Sequence, residues 1–188
     1  MSNTFFADSS ETRVALIEES TWGTTPTSPT TFKTMRVTSE SLSVETETVT
    51  GSELRADRNV AHLINASKAT GGSIEMELNH DDVVHLLMES ALQGAFSSDK
   101  LINGVAQKSF TLERTFSHTS GGTSGETYVR HTGMTVDTMG LTMSAGSMIT
   151  ASFGFLGKEA TTDTVIIGSG TSDAATYTAA STTPPLSA

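Results

Sequence analysis

Two stretches of this chain share a two-residue rhythm, and that rhythm limits its fold more than any other feature. In residues 41–49 (SLSVETETV), Leu42, Val44, Thr46 and Thr48 fall on one side, and Ser43, Glu45, Glu47 and Val49 on the other. In residues 73–78 (SIEMEL), Ile74, Met76 and Leu78 alternate with Glu75 and Glu77. Successive side chains of a strand point to opposite faces, so both stretches predict half-buried strands. Residues 148–156 repeat the pattern with Ile149, Ala151, Phe153 and Phe155 on one face. Residues 108–116 place Phe110, Leu112 and Phe116 together, with Arg114 breaking the row. Residues 13–19 (RVALIEE) read as another strand, and Tyr128 to His131 as the start of one more. Between 134 and 143 the apolar phase changes near Thr138, from Met134 and Val136 to Met139, Leu141 and Met143. A slip of that kind predicts a β-bulge.

Composition agrees with a sheet. Ser and Thr make up 57 of the 188 residues; Thr favours strands, and Ser, Gly and Asn favour turns. One helix stands out, over 79–93. Asn79 is its candidate N-cap, Asp81 and Asp82 sit in the first turn, and Gly94 is placed to stop it. Its apolar stripe is Val83, Val84, Leu87, Met88 and Ala91, spaced to lie on a sheet. Trp22, in a Gly- and Pro-bearing loop, is expected to pin that loop to the core. Residues 117–125 and 144–147 read as turns.

Three parts are expected. Residues 1–12 form an N-terminal arm, and residues 13–158 a β domain. Residues 159–188 form a Ser/Thr/Ala-rich arm or linker, or the lead into a second domain, contributing little to the core. Within the domain, residues 50–72 are expected to be a long loop. That loop carries the basic residues Arg55, Arg58 and Lys68 beside the apolar Val60, Leu63 and Ile64. A merely solvated loop needs no such apolar cluster, so these six residues are candidates for contact between subunits or rings.

Chemistry finds little to work with. There is no phosphate loop, dinucleotide fingerprint, nucleophile elbow or His-Glu-x-x-His motif. Cysteine is absent, which removes disulfides and thiolate metal sites. His80 and His85 are five apart, the wrong spacing for a helical metal pair. No enzyme and no cofactor is expected. With 21 acidic and 11 basic residues the chain carries a net charge of −10, which argues against phosphate-binding surfaces. No run approaches a membrane span. Residues 1–19 lack the basic-then-apolar pattern of an export signal, so the expectation is a soluble protein made in the cytoplasm.

The order of elements, and above all Ala15-Leu16-Ile17-Glu18-Glu19-Ser20-Thr21-Trp22-Gly23-Thr24-Thr25-Pro26, resembles the tail tube proteins of long, non-contractile-tailed bacteriophages. So does the final meander ending Phe153-Gly154-Phe155-Leu156-Gly157-Lys158. The resemblance runs from Arg13 to Lys158. It implies a mainly β fold, an antiparallel β-sandwich or half-barrel with one flanking α-helix. It also implies a structural virion protein of the tail, made in the bacterial host. Copies would close into rings, usually sixfold, stack into a tube and join other tail proteins. Double-stranded DNA would pass through the tube without specific binding, on its way into the host. Glu45, Glu47, Glu75 and Glu77 are then the lumen-facing candidates, assuming that 42–49 and 73–78 pair. Two other readings share parts of the pattern: an extracellular Ser/Thr-rich adhesin or fibre domain, and a related ring protein such as a tail terminator or secretion-system tube.

Overall fold

The computed structural model describes residues 12–28, 30–50, 63–120 and 123–188. The strands are β1 (Thr12–Glu18), β2 (Thr31–Thr34), β3 (Ser39–Glu40), β4 (Ser43–Thr50), β5 (Leu63–Glu77), β6 (Phe96–Ser97), β7 (Lys100–Leu101), β8 (Phe110–Ser120), β9 (Thr123–Thr142), β10 (Thr150–Gly157), β11 (Glu159–Asp163) and β12 (Thr176–Thr178), with one helix, α1 (Asp82–Leu92). Ten of the strands make a single sheet in the order β12-β2-β1-β8-β9-β10-β5-β3, with β11 beside β9 and β4 beside β5. Neighbours are antiparallel except β12 and β2, which run parallel. The mainly β class with one helix is as expected from the alternation.

β9 joins the halves of the sheet. Its first part lies between β8 and β11, and its last part pairs with β10. The predicted bulge is present: Thr138 faces Gly154 and Val136 faces Phe155, so Asp137 is the extra residue. A second irregularity falls opposite Phe110 and Leu112, where Gly133 adopts φ +69°. Both halves turn their apolar side to one core. Val14, Leu16, Phe110, Leu112 and Met134 meet Ile74, Met76, Ala151, Phe153 and Phe155 there, and Val83, Val84 and Leu87 of α1 close it. Burying each of these side chains other than Ala151 stabilises by roughly 1.5–3 kcal/mol.

The helix is shorter than predicted. Asp81 takes the extended N-cap position, and Asn79 is buried before it. At the other end Gln93, not Gly94, is left-handed (φ 50°). Gly94 is needed for space instead, since a Cβ there would stand 2.0 Å from the Ile102 carbonyl oxygen.

Three other expectations give way. Residues 63–72 are strand, not loop, because β5 runs unbroken to Glu77. Strand β4 therefore pairs with 63–71 rather than 73–78. The segment after Lys158 belongs to the fold. β11 extends the sheet along β9, β12 pairs with β2, and Ala175 is buried with Ala15, Ile17 and Phe32 in a second core on the other face of β1. Sequence patterning hid this because the anchors, Ile166, Ile167, Ala175 and Tyr177, are scattered among Gly, Ser and Thr.

That second face also holds a polar core. Glu113 is wholly buried and accepts hydrogen bonds from Arg130 Nε (2.7 Å) and the Tyr177 hydroxyl (2.5 Å). Arg130 reaches on to Asp163 and the Val165 carbonyl, and the Arg13 guanidinium lies 3.5 Å over the Tyr177 ring. Removing one partner of such a group would leave a buried charge exposed to a low dielectric. The segment 159–178 thus completes an electrostatic core as well as an apolar one. Burial beside Glu113 pushes the Tyr177 phenol well above its usual range.

Candidate functional site: an outer sheet face and an exposed ribbon

The register defines the face of β9, β10, β5 and β3 that points away from the core. Ile74 and Met76 point inward, so Ser73, Glu75 and Glu77 point outward. Cross-strand partners share a face, which gives four outward rows: Thr135, Leu156, Gly71, Ser43; Thr138, Gly154, Ser73; Gly140, Ser152, Glu75, Ser39; and Thr142, Thr150, Glu77. Ser39 donates to Glu75 at 2.9 Å, and the Ser41 and Ser73 hydroxyls meet at 3.0 Å. Every outward residue in these rows is Ser, Thr, Gly or Glu except Leu156, which is exposed at the ribbon side of the face. Glycine stands opposite a hydroxyl twice. A Cβ at Gly154 would come within 2.3 Å of Thr138 Oγ1, and one at Gly140 within 2.7 Å of Ser152 Oγ. The surface is therefore low in relief, acidic and free of Lys and Arg.

The four predicted glutamates lie on one face but not in one cluster. Glu45 faces Ala69 and Glu47 faces Ser67, whose hydroxyl donates to it at 3.0 Å. The pleat puts residues 67, 69, 75 and 77 on the same side of β5. Glu75 and Glu77 belong to the sheet body, whereas Glu45 and Glu47 sit farther along β5, beyond Gly71.

Beyond Gly71, β4 and β5 form a two-stranded ribbon. All eight residues of β4 are exposed, on both faces, so Val44 does not face the interior as expected; Leu42, just before the strand, is buried. Val49 pairs with Ile64, and they are 54% and 64% exposed. Of the predicted contact residues, Ile64 and Lys68 are exposed on the ribbon and Leu63 lies in β5. Arg55, Arg58 and Val60 fall outside the described residues, as does nearly all of the expected N-terminal arm.

The ribbon is fixed at its root. The Thr70 hydroxyl donates to the Ser43 carbonyl (2.8 Å) and meets His131 Nδ1 at 2.6 Å. His131 is buried, and its Nε2 has no partner. Burial, with the Arg114 guanidinium adding to it against Glu40, lowers its pKa to about 4. Gly72 has φ +142°, and a Cβ there would stand 2.5 Å from the Ser41 carbonyl oxygen.

The segment that carried the sequence resemblance has a structural reason. Buried Glu19 accepts from the Gly23 and Gly133 amides and from the Ser109 and Thr111 hydroxyls, at 2.8–2.9 Å. Four neutral donors hold one carboxylate and tie the Trp22 turn to β8 and to the bend of β9. Trp22 pins the turn by its edge and not by burial. Its ring is mostly exposed, its indole N–H donates to the Gly133 carbonyl (3.1 Å), and Lys158 lies 5.6 Å over it. A cleft of about 530 Å³ opens beside this turn, lined by Trp22, Ser90, Lys108, Val136 and Asp137. The donors around Glu19 occupy both of its oxygens.

Among the described residues, no group of three or more His, Asp or Glu is arranged to hold a metal. His80 and His85 do meet, edge to face at 4.5 Å, because His80 precedes the shortened helix. No described helix is long and apolar enough to cross a membrane.

Residues 9–188 match the family described as phage tail tube protein. No curated protein matches the sequence. Among solved structures the fold is similar to a chain of the anti-feeding prophage baseplate, 6-fold symmetrised, at 10% identity and TM-score 0.54, covering 87% of this chain and 97% of that one. It is also similar to a chain of the anti-feeding prophage tube terminating cap, at 9% identity and TM-score 0.53, covering 88% and 95%. A third similar structure is the SPP1 tail tube, solved by solid-state NMR and cryo-EM, at 10% identity and TM-score 0.50, covering 85% and 80%.

Proposed function

This chain belongs to the phage tail tube protein family, a structural component of the virion tail that assembles with other tail proteins, and on that footing we propose how its surfaces serve the tube. Copies close into sixfold rings, and the rings stack. The outer face of β9, β10, β5 and β3 lines the bore through which double-stranded DNA leaves the particle, and the protein acts as a conduit without catalysis.

The observation that carries this reading is the lining. Phosphate binding comes from Lys and Arg, and the outward rows hold neither. Hydroxyls keep the surface wet, glycines keep it smooth, and Glu75 and Glu77 repel the phosphates. Ring closure has the edges it needs. Residues 135–142 of β9 pair only with β10 among the described strands, and β3 and β4 pair only with β5. Joining the β9 edge of one copy to the β3–β4 edge of the next removes both exposed edges. The ribbon reaches beyond its own subunit, so Ile64, Leu63 and Lys68 meet a neighbouring copy, joined by Arg55, Arg58 and Val60. Residues Glu45 and Glu47 continue the acidic face.

Negative-stain microscopy of the purified protein tests the assembly: tubes or rings are expected, and a protein that stays monomeric at high concentration would refute it. For the lining, Glu75→Lys/Glu77→Lys tubes are expected to bind double-stranded DNA, with affinity falling steeply as salt rises. If the lysine tubes ignore DNA, or if labels at 75 and 77 react only on the outer wall, the bore lies elsewhere.

A further inference from the structure

Where β9 pairs only with β10, its other edge carries one charge. From 132 to 157 the sequence holds a single charged residue, Asp137. It is the extra residue of the bulge, it is exposed, and it lines the cleft with Ser90 of α1 and Gln93 after it. Among the described residues, no ion pair or hydrogen bond engages its carboxylate. The cation of the cleft is already shared, since Lys108 lies 2.6 Å from Glu89 and 3.5 Å from Glu18.

The ribbon holds the opposite unmatched charge. In residues 43–50 and 63–71 the one basic side chain is Lys68. It is exposed and has no partner among the described residues. Thr70 is buried towards the core, so the pleat puts Lys68 on the core side of β5. Its cross-strand partner Thr46 shares that side with Val44, which is exposed. This face of the ribbon has no second layer of its own.

We propose that Lys68 on the ribbon of one copy pairs with Asp137 in the cleft of the adjoining copy of the same ring, and that α1 of that copy supplies the ribbon's missing layer. The inference rests on the ring closure proposed above and adds the contact that sets its register. Through β10 and β5, strands β9 and β4 run in opposite senses. Rotation about a ring axis keeps those senses, so β4 of one copy continues the antiparallel sheet at the β9 edge of the next. The core side of the ribbon then falls on the side where α1 stands. Lys68 lies one strand behind the joined edge, two strand spacings or about 10 Å from β9. Its long stem crosses the small Thr46 and brings the ammonium to the carboxylate. Complementary charges of this kind fix register and reject misaligned partners.

Charge reversal tests the pairing. Lys68→Glu and Asp137→Lys each set like charges face to face. Each should raise the concentration needed for rings by about tenfold or more, with the thermal midpoint of the monomer unchanged. Lys68→Glu/Asp137→Lys restores the pair and should form rings within about threefold of the unmodified protein. The chain has no cysteine, so thiols report without background. In assembled Lys68→Cys/Asp137→Cys protein a short bis-maleimide should give a covalent ladder that ends at one closed ring, and the single variants should give none. The pairing is overturned if either single reversal forms rings normally, or if the double reversal stays as impaired as the singles. It is equally overturned if the ladder is absent or runs past one ring, or if Asp137→Lys is rescued by Arg55→Glu or Arg58→Glu instead of Lys68→Glu. Rings from unmodified protein without that rescue remove this contact and leave the tube reading standing; unmodified protein that forms no rings removes both.

Discussion

Strand β4 and the body half of β5 carry similar-looking sequence and live in different surroundings. From Ser73 to Leu78 the alternation is obeyed: Ile74, Met76 and Leu78 are buried, and Glu75 is exposed. On the ribbon, β4 alternates as cleanly, yet it is exposed throughout. The difference is the layer behind. The body half has α1 and the opposite half of the sheet to pack on, whereas the ribbon has only its own pair of strands. Two-stranded ribbons are marginal alone in water. Alternation therefore identifies strands, but a second layer decides whether their apolar side is used at home or in a neighbour.

That contrast can be broken first where it is strongest. Ile74→Asp, or Leu87→Asp beneath the same core, buries an unpaired charge and should cost about 4 kcal/mol or more, lowering the thermal midpoint by about 10 °C. The same change on the ribbon, Ile64→Asp, should move monomer stability by no more than about 0.5 kcal/mol while abolishing tubes. Equal losses of stability at 74 and 64 would erase the distinction.

The root of the ribbon is where the two regimes meet, and pH probes it. His131 has its pKa lowered to about 4, against 6.5 for an unperturbed histidine. Between those values the unfolded chain binds the extra proton, so stability falls as pH drops from 6.5 towards 4, by up to about 3 kcal/mol. Hydrogen exchange at Ser43 and Thr70 should quicken in that window before the body opens, and His131→Gln should flatten the trend. An unchanged slope in that variant would assign the acid loss to other groups. Next in size is Tyr177→Phe, which strips one donor from buried Glu113 and should cost about 1–3 kcal/mol by chemical denaturation. A neutral result would mean that the Tyr177 hydroxyl does not help to hold segment 159–178 to the polar core. Smallest is Ile64→Ala, nearly silent in the monomer at about 0.5 kcal/mol or less, with its effect confined to tube length.

How far the sequence reached follows the same line. The strands with a packed inner face were legible, down to the bulge beside Thr138, because burial writes itself as alternation. Residues 63–72, expected to be loop, are instead the part of a continuous strand that leaves the body. The helix end was misplaced because Gly94 serves a close approach to Ile102, which spacing alone does not reveal. The polar core around Glu113 was missed for a physical reason: Thr111, Glu113 and Thr115 are buried on the face that alternation assigns to water. Glu19 left a trace, as the most specific part of the resemblance, but its four donors come from residues up to 114 positions away.

The parallel pair β2 and β12 has a consequence in time. Thr31 and Thr176 share a hydrogen bond across 145 residues, and the second core between them closes only when that loop does. Contacts so distant in sequence make for slow folding, since the entropy of closure is met before the contacts form. During synthesis the first strands must wait for their last partner, and Glu113 stays without Tyr177 throughout that wait. A nascent chain therefore holds an incomplete sheet until β12 has emerged.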